Sequence, residues 1–136
     1  MALAPILAAF LLGAVASFPS QEPLACRIDA LSAAQRDRHH DLGEKLRGAV
    51  TAIRELADGY ELELDLGRLP RDSQGPPFGV AEVAEWVDLE ARCCPFLDFD
   101  IHLAGRGGPV RLGLTGPANA KEVLRAELPL VRRSDR

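Results

Sequence analysis

Two of the chain's three cysteines are adjacent, in the stretch "LEARCCPFLDFD" at residues 89–100. Cys93 and Cys94 close a helix-like apolar run, Glu90 lies one turn before Cys94, and Pro95 follows at once. Residues of these types at this spacing suit three kinds of chemistry. Two or three thiolates hold soft ions such as Cu(I), Zn(II), Hg(II) or As(III) species. A thiol beside an acid–base group can exchange disulfides or cleave a carbon–metal bond, with Glu90 moving the proton. Alternatively, the remaining cysteine, Cys26, joins Cys93 or Cys94 in a structural disulfide. The sequence leaves all three open.

A helical wheel at about 100° per residue sharpens the picture. With Val83 at the centre of the core-facing stripe, Val80, Val87 and Ala91 fall within about 80° on one side. Glu90 and Cys94 each fall within about 20° of the centre, whereas Cys93 and Trp86 lie on the flank. Burying an unpaired carboxylate costs several kcal/mol. Glu90 must therefore be protonated, paired with a cation such as Arg54 or Arg111, or bound to a ligand. Pro95 disfavours helical geometry at Cys94 and ends the helix there. The thiols then sit at a helix C-terminus, where the macrodipole opposes thiolate formation. With no Cys-x-x-Cys present, a thioredoxin-like attacking cysteine is disfavoured, whereas a soft cation deprotonates its own thiol ligands.

The candidate metal ligands are Cys26, Cys93 and Cys94, with Glu90 and His39 as weaker members. His39 falls about 60° from the apolar stripe of its own helix. Glu90 is also the candidate acid or base if the chain is an enzyme. The expected partner is a small ion or small molecule, with a Cu, Zn, Hg or As species as the possible cofactor. His40 with Glu44 reads as a solvated pair, and His102 opposes Ile101 and Leu103 with no assigned role.

These residues need a scaffold. Residues 31–57 read as one long helix, because Leu42, Leu46, Ala49, Ile53 and Leu56 recur at spacings of three and four. Asp58-Gly59 ends it. "YELELDL" alternates apolar and acidic residues, as a half-buried strand does. The Gly- and Pro-rich "GRLPRDSQGPPFG" reads as a loop. A second helix spans 79–92, and strands over 96–104 and 109–116 flank a "GRGG" turn. Pro117 occupies the expected first position of a last helix. In "LTGPANAK" this entry, with Lys121 in the first turn, is either an ordinary helix start or an anion-docking point. The expected fold is α+β, in the order α-β-α-β-β-α: a small three-stranded, mainly antiparallel sheet with helices on one face.

Composition limits the wider possibilities. The 136 residues allow one domain, and 47% hydrophobic with 26% charged residues indicates a globular body. A net charge of −4 without a basic face argues against nucleic-acid binding. Residues 1–16 read as a signal peptide, 17–25 as a linker, 26–130 as the α+β domain and 131–136 as a basic tail. The protein is then periplasmic or secreted, with membrane contact only through an uncleaved leader; a misplaced start codon would make it cytoplasmic. Phosphate-loop, zinc-peptidase, serine-elbow and dinucleotide motifs are absent.

Four segments, "ACRIDAL", "RELADGYELEL", "LEARCCPFLDFDI" and "LGLTGPANAKEVL", resemble a group of short bacterial proteins of uncharacterised function. The pattern is Ala-Cys, Glu-Leu-x-Asp-Gly-Tyr, Glu-x-x-Cys-Cys-Pro-Phe, and Leu-Thr-Gly-Pro with a following Lys. The likeness spans about residues 24–126 and marks Cys26, Glu90, Cys93, Cys94, Pro95, Phe96 and Lys121. It implies domain limits and no activity. The apolar leader departs from the pattern.

Overall fold

Ser32 starts the first helix. Its hydroxyl accepts from Gln35 N at 3.2 Å while Gln35 Oε1 accepts from Ser32 N at 2.9 Å, a reciprocal cap on otherwise unpaired donors. In this computed structural model, which describes residues 24–69 and 77–127, helix α1 runs Ala33–Ala49. The proposed leader over 1–16, the linker up to residue 23, the middle of the Gly- and Pro-rich loop (70–76) and the basic tail lie outside the described residues. α1 buries Leu42, Leu46 and Ala49.

The helix does not continue to residue 57. The chain passes from Ala49 directly into strand β1, Val50–Glu55. Val50, Thr51 and Ile53 are β-branched and suit a pleated surface. Ile53 stands four residues after Ala49, so it extends the helical spacing while its side chain serves a strand. β2, Gly59–Leu64, returns antiparallel, and Leu56 N donates to Gly59 O at 2.8 Å to close the hairpin. The sheet therefore has four strands where the sequence predicts three, and the order of elements gains a strand directly after α1.

Strands β3, Asp98–Leu103, and β4, Val110–Thr115, form the second hairpin. Gly105 and Gly107 take positive φ in its turn, as the glycine-rich spacing requires. All pairings are antiparallel and the order across the sheet is β1-β2-β4-β3. The register puts Tyr60 opposite Leu114, Leu62 opposite Leu112 and Leu64 opposite Val110. These six side chains are buried on the face that meets the helices. The other face carries Arg54, Glu61, Glu63, Arg111 and His102.

Helix α2, Val80–Cys93, leads from the loop into β3 and packs against α1. Glu82 accepts from Gly79 N at 2.8 Å and caps its start. Helix α3 spans Ala120–Glu127 and lies against β2. It begins three residues after Pro117, which is not the first helical position that the sequence predicts. Pro117–Asn119 form a turn in which Ala120 N donates to Pro117 O at 3.0 Å and Asn119 has φ 74°. Asparagine tolerates this left-handed conformation better than most residues. Lys121 is engaged by Glu55 and by Leu56 O, at 3.0 Å from the latter, so it ties α3 to the first hairpin rather than facing an anion.

Candidate thiol and carboxylate site

Four elements converge on the end of α2. The segment before α1 supplies Cys26, α1 supplies His39, α2 supplies Trp86 and Glu90, and the cap of α2 supplies Cys94. Trp86, Glu90 and Cys94 are spaced by four residues and so share one side of the helix end. Cys94 N donates to Glu90 O at 2.7 Å, completing the last helical bond, after which the chain departs from helical geometry with Cys94 at φ −121° and ψ 69°. Pro95 allows no continuation. Leu97 N then donates to Cys94 O at 3.1 Å, turning the chain into β3.

Cys26 and Cys94 form a disulfide, with their Cα atoms 4.6 Å apart across 68 positions of sequence. Arg27 N donates to Cys93 O at 2.7 Å, so a backbone hydrogen bond holds the same crossing. Cys94 is fully buried, whereas Cys26 is partly exposed on the incoming segment.

Glu90 is 3% exposed, the one charged residue among the buried core positions described. Its partner is neither Arg54, which pairs with Glu61 on the outer face, nor Arg111, which also lies on that face. It is His39, whose Nε2 lies 2.5 Å from Glu90 Oε2. The imidazole stacks on Trp86, with ring centroids 5.8 Å apart and planes within 14°. Gly43, one turn after His39, leaves room for the indole, since a Cβ there would lie 3.4 Å from Trp86 Nε1. The other carboxylate oxygen, Oε1, lies 3.3 Å from Cys94 Sγ. In the disulfide Cys94 has no S–H to donate, so this is a close contact between a carboxylate and a sulfur.

Ligand atoms of Cys26, Glu90 and Cys94 all lie within 4.8 Å of one another, the one such group of three donors among the described residues. Cys93 stands outside it. Its thiol is free and buried, and burial foremost, then the charges of Glu90 and Asp29, push its pKa up. His39 stands behind Glu90 rather than among the converging atoms. Of the five candidate ligands read from sequence, the fold brings three together, puts His39 one bond away and directs Cys93 elsewhere. His40 is exposed near Glu44 at 3.9 Å, as a solvated pair would be.

The pairing of His39 with Glu90 is what sequence reasoning missed. Each lies near the core-facing stripe of its own helix, but their meeting, 51 positions apart, depends on how α1 crosses α2. No protein-family model, curated protein or solved structure matches the chain.

Proposed function

We propose that the protein binds a soft metal or metalloid ion through Cys26 and Cys94 in their reduced form, with the Glu90 carboxylate beside them. One observation carries this reading: two sulfurs and a buried carboxylate oxygen converge within 4.8 Å. A plain structural cross-link has no need of an acid against its sulfur, and His39 satisfies only the carboxylate's other oxygen. Two-electron reduction by an external thiol reductant, with uptake of two protons, turns the disulfide into two thiols next to an oxygen donor, and a soft cation displaces those protons to bind the thiolates. The disulfide is then the closed state of the site and the dithiol its open state.

The test starts with full reduction and thiol counting on the folded chain. Metal analysis follows, after exposure to Cu, Zn, Hg or As species and removal of excess. Near-stoichiometric retention that disappears in Cys26→Ser and Cys94→Ser supports the reading. If the folded protein resists reduction, or retains no metal once reduced, the disulfide is a structural tie.

The contact of Glu90 with both Cys94 and His39 favours a second reading, a thiol-dependent enzyme with Glu90 as acid or base. In that case turnover of a disulfide or organometallic substrate disappears in Glu90→Gln. The disulfide also fits an oxidising compartment, periplasmic or extracellular, where the closed state prevails and the site opens only where a thiol reductant reaches it. Among the described residues no helix is long and apolar enough to cross a membrane.

A further inference from the structure

Resting on the metal-binding reading above, we propose that the reduced site takes a divalent soft or borderline cation through two sulfurs and one oxygen. Cys26, Cys94 and Glu90 are the ligands, and His39 is the residue that positions the oxygen.

The geometry limits the donor count. An As(III) species is well satisfied by three thiolates, but Cys93, the one remaining cysteine of the chain, does not converge with the other two. A divalent ion offsets more of the charge of two thiolates and a carboxylate than a monovalent ion does, which matters where uncompensated charge is costly. The crossing is also compact. Zinc–sulfur bonds of about 2.3 Å at a tetrahedral angle separate two sulfurs by about 3.8 Å. Side chains whose Cα atoms are 4.6 Å apart can span that distance. The Glu90 oxygen, 3.3 Å from Cys94 Sγ, supplies a third donor off the sulfur–sulfur line, as a bent arrangement needs and a linear one does not. A fourth position remains for water or a small ligand.

The two oxygens of Glu90 have separate tasks. Oε2 is held by His39 Nε2, and that ring is fixed in turn by Trp86. Oε1 is left facing the sulfurs. A carboxylate donor oriented by a hydrogen-bonded neighbour binds metal more tightly, and loss of the neighbour typically costs about tenfold to a hundredfold in affinity.

The experiment uses the full chain, reduced with a phosphine under inert gas, with Cd(II) as the probe and Zn(II) and arsenite as competitors. The expected result is one Cd per chain, with X-ray absorption reporting two sulfurs and at least one oxygen, and displacement by Zn but not by arsenite. His39→Phe, which keeps an aromatic ring against Trp86 and removes the donor, should weaken Cd binding by about tenfold or more and change the oxygen shell while both sulfurs remain. A merely structural His39 would alter affinity without altering that shell. The wild-type spectrum decides the sulfur count even if a variant folds poorly. A three-sulfur shell, or arsenite binding tighter than Cd, overturns this donor set while leaving metal binding intact. A fully reduced, folded chain that retains no Cd overturns the metal-binding reading beneath it.

Discussion

A carboxylate sealed between a histidine and a sulfur has few alternatives, and the same burial governs the thiol next door. Cys93 is 2% exposed, and burial together with two nearby acids holds its pKa above the ordinary thiol range. The thiolate is the reactive species. Iodoacetamide near pH 8 should therefore label Cys93 in the folded, oxidised protein much more slowly than a free cysteine, because burial both blocks access and disfavours the thiolate. Rapid labelling, read by mass spectrometry, would show the site to be open. Tyr60 offers a second residue-scale case. Its hydroxyl is buried without a hydrogen-bond partner among the described residues. Such a group is a desolvation loss, so Tyr60→Phe should change stability by no more than about 1 kcal/mol and in the stabilising direction. Urea denaturation measures it.

At the scale of elements, the two central strands approach closely where β2 begins. A Cβ on Gly59 would lie 1.9 Å from Leu114 O, and backbone cannot yield as a side-chain tip can. Gly59→Ala should cost about 2–3 kcal/mol by forcing β2 away from β4. A shift in the urea midpoint with an unchanged slope would be its signature. Helix α2 is legible because its apolar positions repeat and Glu90 falls among them, so the inward acid could be read before any fold was known. Val80, placed on the same stripe, is instead 37% exposed at the first turn. The end of α1 was not legible. Val50–Glu55 satisfies a helical spacing and a strand propensity together, and only pairing with β2 decides between them.

For the whole molecule, the Cys26–Cys94 bond joins the segment before α1 to the far end of α2. Closing a loop of this size restricts the unfolded chain, and Cys26→Ser should cost roughly 2–5 kcal/mol. Chemical reduction should destabilise the wild type by a similar amount, and the two effects should not add. The ion pairs give a second global expectation. Glu55 is held below its ordinary pKa chiefly by its hydrogen bond to Lys121, and then by the charges of Lys121 and Arg125. Glu85 is lowered chiefly by its hydrogen bond to Arg38. A lowered folded-state pKa gives stability that is present above the unfolded carboxylate pKa and lost as pH falls through the folded value. Thermal melts should therefore decline on acidification through and below the usual carboxylate range. Both pairs are exposed, so the decline they cause is small and shrinks further in high salt. Glu55→Gln should flatten part of it, and an unchanged slope in that variant would count against the pairing.

What the sequence determined by itself is local. The alternation in β2 and β4, the glycine turn between β3 and β4, the inward position of Glu90 and the proline stop after Cys94 are each properties of a few neighbouring residues, set by side-chain periodicity and backbone sterics. The tertiary structure alone decided that residues 50–55 form an edge strand, that Cys26 joins Cys94 rather than Cys93, and that His39 meets Glu90. These are contacts between distant parts of the chain. They depend on how α1 crosses α2 and where the incoming segment lands, geometry that no local repeat encodes.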